Sequence, residues 1–547
     1  MSDPKEMARI AVEYYERIQH KDHDPRAAPD EQNLNEILGQ IRTKVTENTK
    51  RSLAKQITEE EVRDAINKTT SDKAPGPDGI PIDLWKSLDD QFQSKKNETN
   101  TNPGCDIVWT LTQVFQDVEM HGVVEEANFH EGCICPIYKK KDPSDAANYR
   151  PITLLNTDYK IFTKALSIKL ANAAPEIINK DQAGFIRGRS IFDQVKTTKL
   201  VMDYMERSNK TGAIVALDQE KAYDRILHPY LWRILEKFGI PEHFIKTIQS
   251  LYDNAKTIVM VNGEMSNPFI VTRGVRQGDA LSCLLFDIAI EPLAESIHRS
   301  KEITGIQIPG RRDYLKVKLF ADDTTVYLSE DDNIENLENI LMKWCKVSGA
   351  KFNIEKTEII PLGNKTQRGE TIRSRKINPS CSEIPSHIHT AKDGEPVRIL
   401  GAWLGNEINQ ATTWAPILED CRKRLKRWGA AKHSLEGRRL ILQMQVAGVT
   451  QYLTKVQGMP KEIEAELNKL IRIFMWNNEK VDTVNQAQIL YAARKRWKKS
   501  PRHRSPEQGN PPNLAQSLPE LRGRQGNLDV LRRCTDCNGH TTLPQRG

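Results

Sequence analysis

The chain has 547 residues, 38% hydrophobic and 28% charged, with a mean hydropathy of −0.59, which is too polar for a membrane-embedded protein and too apolar for a wholly disordered one. Its 80 Lys+Arg and 73 Asp+Glu give a formal net charge of +7, yet residues 421–547 hold 25 basic against 10 acidic residues and carry +15, leaving −8 on the first 420. No run approaches the ~18 apolar residues of a membrane span, the start MSDPKEMARI lacks a secretory signal's apolar centre, and nine scattered cysteines make no disulfide framework.

An intracellular, reduced, multi-part globular protein is therefore expected, and the length allows three or four domains at roughly 150 residues each. The basic C-terminal quarter suits a polyanionic partner through counterion release, or is simply a solvated basic tail.

Residues 1–70 read as helical. In EEVRDAINKT (60–69), Val62, Ala65 and Ile66 fall at three-to-four spacing, with Thr58 as N-cap and Glu61 completing a capping box. The loop KAPGPDG (73–79), with two Pro and two Gly, is fixed and non-helical. The polar stretch 91–104 reads as a solvent loop. From about 130 to 360, β-like runs (CICPIYK, AIVALD, TIVMVN, VKLFADDTTVYL) alternate with helical periods. Residues 365–396 are polar with little periodicity, and Trp414 to about Trp476 is helical. Beyond 480 the chain is basic and Pro-rich, and little order is expected there.

Two segments carry the strongest chemical signal. Ile214–Leu217 is a β-run ending at Asp218, a carboxylate that can project past a sheet; the following helix is expected from near Asp224 to Gly239, burying Leu231, Ile234, Leu235 and Phe238. Lys316–Ala321 and Thr324–Leu328 read as two strands with Asp322-Asp323 at the hairpin turn. Acids within apolar runs are expensive to desolvate without compensation, and Mg²⁺ prefers carboxylate oxygens while keeping positions open for phosphates. If the strands are neighbours, Asp218, Asp322 and Asp323 converge to hold two ions ~3.5–4 Å apart for in-line phosphoryl transfer. An Asp-rich turn and a strand-end cap are the alternative for either segment alone.

RGVRQGD (273–279) opens an apolar helix and offers two Arg, one Gln and close-approach glycines to an anion, with Asp279 read as the helix N-cap. Arg150, beside a rigid turn at Pro151, and Lys73, in the Pro/Gly loop, are candidates to reach a triphosphate.

The sequence as a whole resembles the reverse transcriptases of non-LTR (LINE-type) retrotransposons. The matching segments run in the family's order: KAPGPDGIPIDLWK (73–86), CPIYKKKD with NYRPITLLNTDYKIFTKAL (135–166), QAGFIRGRSIFDQV (182–195), AIVALDQEKAYDRI (213–226), RGVRQGDALSCLLFDIAI (273–290), KLFADDTTVYL (318–328), AKFNIEKTEII (350–360) and LGAWLG (400–405). The resemblance implies an α+β right-hand polymerase with fingers, a palm bearing an antiparallel sheet, and a helical thumb. It divides the chain into an N-terminal helical extension (1–70), a fingers extension (71–119), fingers and palm (120–405), a thumb-like region (406–480) and a basic, disordered tail (481–547).

It also implies roles. Asp218 and Asp322 are metal ligands with Asp323 the adjacent acid; Tyr223 is the aromatic gate against a 2′-hydroxyl; Arg150 contacts the triphosphate; Gln277 and Gly278 abut nucleotide and template. Lys356 is the general acid for pyrophosphate, chemically sensible because protonation lowers the leaving group's charge. The implied cofactor is Mg²⁺, as two ions, with Mn²⁺ as an alternative. The implied partners are an RNA template, a DNA or RNA primer and dNTPs, with no membrane.

An N-terminal endonuclease and an RNase H-like acidic set are not expected, and after about 480 the resemblance fades, as in a truncation, a decayed reading frame or a gene-model error. Cys534, Cys537 and His540 form a candidate zinc half-site without an evident fourth ligand. Trp414, Trp428 and Trp476 are candidates for base stacking or helix packing. The run 494–499 reads as a nuclear import signal or a plain basic tail, so nuclear and cytoplasmic location is expected. Two competing readings remain: a nucleic-acid-binding remnant that no longer polymerises, and an RNA-dependent RNA polymerase, against which Tyr223 argues.

Overall fold

In the computed structural model the described residues are 3–20, 29–96, 104–124, 127–310 and 312–476. The expectations for Cys534, Cys537, His540, the import signal and the basic tail lie outside them. The chain divides into two compact units, Met1–Ala391 and Lys392–Gly547. The fold class is α+β, as expected.

The first unit opens with helices Pro4–Gln19, Glu31–Gln40, Glu47–Ala54 and Glu59–Lys68. The Thr58/Glu61 capping box forms in full, and Val62, Ala65 and Ile66 are completely buried. The next helix, Ile82–Lys95, runs into the stretch expected to be a solvent loop: QFQSK contains no helix breaker, and polarity alone does not end a helix.

Strands follow in chain order: β1 Gly132–Tyr138, β2 Tyr149–Leu155, β3 Gly212–Leu217, β4 Lys256–Val261, β5 Glu264–Met265, β6 Phe269–Ile270, β7 Ile306–Gln307, β8 Tyr314–Leu315, β9 Val317–Phe320, β10 Asp323–Ser329, β11 Glu358–Leu362 and β12 His389–Thr390. One sheet runs β2-β1-β4-β5, with β6 also on β4 and β1 parallel to β4. Pro136 and Pro151 face each other across β1 and β2, so the two missing N–H groups share one rung. Arg150 thus starts a strand and does not sit beside a turn.

The second sheet has the order β12-β11-β3-β10-β9, antiparallel except for the short β11–β12 edge. β3 lies at its centre. That placement explains why Ile214–Leu217 is an unbroken apolar run: a strand covered on both faces shows no alternation. Behind it, Trp344 is fully buried and donates its indole N–H to the Tyr230 hydroxyl at 2.9 Å.

A stretch read only as polar is in part helical, and one further expectation is corrected. A helix, Lys365–Ser374, forms in the polar stretch after 365; Asn364 and Gln367 build a capping box and the completely covered Arg368 donates to the Gly363 carbonyl at 2.7 Å. A cap and a buried guanidinium leave no apolar period to read. The helix expected from Asp224 is instead one turn, Ala222–Arg225, then a break, then His228–Lys237. Pro229 suits the first turn of a new helix, where its missing N–H costs nothing. Leu231, Ile234, Leu235 and Phe238 are buried as expected.

In the second unit, a hairpin of β13 Val397–Ile399 and β14 Ala402–Leu404 precedes helices Gln410–Gly429, Leu435–Leu442, Gly448–Gln457 and Lys461–Trp476. Cys421, Leu425, Ile441, Val446, Leu467 and Phe474 form its core. Trp414 is buried and bonds the Gly458 carbonyl at 3.0 Å, whereas Trp428 stays 41% exposed beside His433. Cys105, Cys133, Cys135, Cys283, Cys381 and Cys421 carry no disulfide, and among the described residues no helix is long and apolar enough to cross a membrane.

Candidate active site

The β3–β10 register pairs Leu217 with Thr324, and one step further brings Asp218 level with Asp323. The β9–β10 turn is Ala321-Asp322, not Asp322-Asp323; Asp323 is already the first residue of β10 and pairs with Phe320. Ala321 sits at φ +55°, a conformation that costs a residue with a Cβ roughly 1–2 kcal/mol.

Gln182 holds the turn in that state. Its buried Oε1 accepts the Ala321 N–H at 2.9 Å and the Gly184 N–H at 2.8 Å. Gly184 passes so close that a Cβ there would lie 2.4 Å from the Ala321 nitrogen. Gln182→Leu leaves both N–H groups buried without an acceptor, a loss of roughly 2–4 kcal/mol at ~1–2 per group. The urea midpoint should fall accordingly, and an unshifted midpoint would remove Gln182 from the support of this turn.

The three carboxylates feel one another. Asp322 is raised by burial first and then by the Asp218 charge, while Lys139 and Arg150 pull the other way. Asp323 retains an exposed edge, but crowding by protein, then Asp322 and Asp218, push it up to about 6. Lys356 Nζ lies 2.8 Å from Asp218 Oδ2. It arrives from 138 residues away because residues 351–353 run beside β3's end: Glu220 N–H donates to the Lys351 carbonyl at 2.8 Å and Asn353 N–H to the Asp218 carbonyl at 2.7 Å. Among the described residues, no group of three or more His, Cys, Asp or Glu side chains is already gathered into a metal-holding cluster. What the geometry provides is an acidic patch with one oxygen of Asp218 committed to an ammonium.

Tyr223 stacks on Phe286, ring centroids 4.7 Å apart and planes within 10°, and burial, then the Cys283 thiol, hold its phenol protonated. Asp287, next to Phe286 on the helix Ser282–Arg299, is completely buried with both carboxylate oxygens unpartnered. Burial, opposed by Arg189 and aided by Asp322, takes it up to about 8.

The loop ahead of that helix differs from the expected anion cradle. Arg273 and Arg276 are buried and donate inward, to the carbonyls of Gly349 and His130. Asp279 is not the N-cap, which is Leu281 without a side-chain bond; it accepts the Leu281 N–H at 3.2 Å and is buried beside the Tyr159 hydroxyl. Gln277 and Gly278 lie against β2. Thr153 N–H donates to the Gln277 carbonyl at 2.8 Å, and Gly278, at φ +127°, passes where a Cβ would be 2.5 Å from the Thr153 oxygen.

His228 Nε2 bonds the Gly274 carbonyl at 2.8 Å. Burial takes this imidazole from 6.5 down to about 4. The folded chain holds it neutral while an unfolded one protonates it near 6.5, so its contribution is complete above pH 6.5 and is lost as pH falls toward 4. The amount is roughly 3 kcal/mol at ~1.36 per unit. His228→Gln should flatten the acid limb of stability in urea titrations between pH 7 and 4; parallel curves would sink the assignment.

Arg150 is exposed at the start of β2, within electrostatic reach of Asp322. Lys73 is exposed on a loop anchored at the other end of that strand, where a Cβ on Gly76 would meet the Asn156 nitrogen at 2.3 Å. Six steps of strand lie between Arg150 and that anchor, about 20 Å at ~3.3 Å each; of the two cations, Arg150 is the one within electrostatic reach of Asp322. Three residues were missed as site members: Lys139, Gln182 and Asp287. Lys139 and Gln182 lay within quoted segments, and Asp287 was readable as an acid inside the apolar run LLFDIAI.

Residues 138–404 match the family described as reverse transcriptase (RNA-dependent DNA polymerase). The chain is 27% identical over 435 residues to the transposon TX1 uncharacterized 149 kDa protein of Xenopus laevis, covering 79% of this chain and 31% of that one. It is 26% identical over 249 residues to the Pol polyprotein from retrotransposable element R2DM of Drosophila melanogaster, over 45% of this chain and 22% of the relative. With the RNA-directed DNA polymerase from the mobile element jockey of the same fly it shares 25% over 321 residues, 57% of this chain and 32% of that one. The chain thus spans about a third or less of the length of these relatives.

Proposed function

We propose that the chain is an RNA-directed DNA polymerase extending a nucleic-acid 3′-hydroxyl with dNTPs on an RNA template, because residues 138–404 match the reverse transcriptase family and the similar proteins are those of non-LTR retrotransposons. The observation that carries this reading is the register that brings Asp218 at the end of β3 level with Asp323 beside the Asp322 turn.

The residues fit divalent metal chemistry. Asp322 and Asp323 are raised by burial first and then by neighbouring carboxylate charge, Asp218 on Asp322 and both Asp322 and Asp218 on Asp323, which a dication relieves, and hard carboxylate oxygens are the ligands Mg²⁺ prefers. Asp218, Asp322 and Asp323 would hold Mg²⁺. When bound, the ions supply charge stabilisation for attacking and leaving oxygens. Lys139 and Arg150, cations near the carboxylates, are suited to the triphosphate. Lys356, bonded to Asp218 Oδ2, would be the general acid for pyrophosphate. Tyr223, fixed by Phe286, forms the floor beneath the sugar, and Gln277 with Gly278 borders the base. The two sheets then correspond to fingers and palm, and the second unit's helices to a thumb.

The test is extension of oligo(dT) on poly(rA) with Mg²⁺ and dTTP. Incorporation above background supports the polymerase and excludes a binding-only remnant; template binding without incorporation overturns it.

A further inference from the structure

The N-terminal helix Pro4–Gln19 ends on the site's back wall. The Gln19 carbonyl accepts the Thr272 and Arg273 N–H groups at 3.0 and 3.2 Å. Its side-chain Nε2 donates to Asp224 Oδ1 at 2.8 Å, and the other oxygen, Oδ2, accepts Gln277 Nε2 at 3.2 Å. Asp224 is 3% exposed. Earlier on the same helix, the Tyr14 ring lies under Lys221 Nζ at 5.5 Å, so the helix grips both ends of the turn that carries Tyr223. Across that turn, Val275 N–H donates to the Tyr223 carbonyl and Gly274 N–H to that of Ile226, both at 2.6 Å.

We propose that Gln19 and Asp224 are positioning residues that orient the Gln277 amide toward the incoming nucleotide, making the N-terminal helix a working part of the nucleotide site. An ionised carboxylate only accepts hydrogen bonds. Asp224 therefore fixes which end of the Gln277 amide points inward: Nε2 is held, and Oε1 is turned away from it. Gln19 occupies the second oxygen and stops Asp224 from rotating. A buried carboxylate with one oxygen on each of two amides, supplied by segments 205 and 53 residues distant, is a costly arrangement for packing alone. The inference rests on the reading that Gln277 meets the nucleotide.

The test uses the full chain with oligo(dT) on poly(rA), and amide hydrogen exchange over residues 272–278. Gln19→Leu should raise the dTTP KM roughly tenfold, since displacements well under 1 Å already matter, while kcat falls less than about threefold. Exchange in the loop should quicken. Asp224→Asn should raise KM as well, because one amide must then reverse.

The double variant Gln19→Glu with Asp224→Asn restores the chain of donors in the opposite sense: the carboxylate introduced at position 19 accepts from the amide introduced at position 224, whose oxygen accepts from Gln277. It should recover most of the KM and the slow exchange. Single variants that leave KM and exchange as in the parent, or a double variant no better than Asp224→Asn, overturn the proposal. A parent chain that incorporates no dTTP overturns the polymerase reading; the exchange arm then still decides whether Gln19 and Asp224 brace the loop.

Discussion

Asp218→Asn and Asp322→Asn should each lower Mg²⁺-dependent primer extension by at least about a thousandfold while the chain still binds template–primer. The estimate follows from the several kcal/mol that a metal-held charge contributes to such a transition state, at ~1.36 kcal/mol per decade. An amide in place of either carboxylate keeps shape and loses the anionic ligand. Two side effects distinguish this from damage to the fold. Asp322 repels Asp218 and Asp323, so Asp322→Asn should melt no lower than the parent. Removing a negative charge beside a phosphate backbone should hold binding equal or tighten it. Extension assays with gel-shift titrations check all three, and undiminished extension in both variants would refute the assignment of the acidic pair.

Tyr223→Ala should weaken selection of dTTP over UTP by roughly 10- to 200-fold, the range a steric contact of 1–3 kcal/mol provides. The ring is braced by Phe286 at 4.7 Å, so it cannot yield to a 2′-hydroxyl without unstacking. The hydroxyl of Tyr223 faces Cys283, on the protein side. Tyr223→Phe should therefore keep most of the selection. The measurement is the ratio of kcat/KM for the two nucleotides on poly(rA). Selection that survives Tyr223→Ala would move the gate elsewhere, and a parent chain without selection would favour an RNA polymerase.

The strands that carry the acids were legible because each is short, apolar and ends in an acid, and the capping box at Thr58 because its two partners are local in sequence. Asp218, Tyr223 and Lys356 could be named from motif resemblance, but the Lys356–Asp218 contact depends on the backbone of 351–353 pairing beside the end of β3, which no local spacing announces. RGVRQGD shows the opposite failure. Two arginines and two glycines read as a phosphate cradle, whereas Arg273 and Arg276 are turned inward to satisfy carbonyls, a choice that only tertiary packing makes. Gln182 is invisible for a related reason: an amide holding a strained alanine 139 residues away leaves no local trace. Lys365–Ser374 escaped because its covered residues are an arginine and a threonine.

The order β12-β11-β3-β10-β9 also sets a timetable for the newborn chain. β3 is complete at Leu217, yet neither flanking strand exists until β10, and the second, β11, ends only at Leu362. At ~5–20 residues per second of synthesis, the 145 residues between Leu217 and Leu362 take about 7–30 s to emerge. Until β10 emerges the most apolar strand of the sheet has two open edges, the kind that recruit other chains, and until β11 follows it keeps one; Asp218 waits first for Asp322 and then for Lys356. Ribosome-bound chains stalled before residue 320 should need a chaperone to stay monodisperse, and those released past 391 should not.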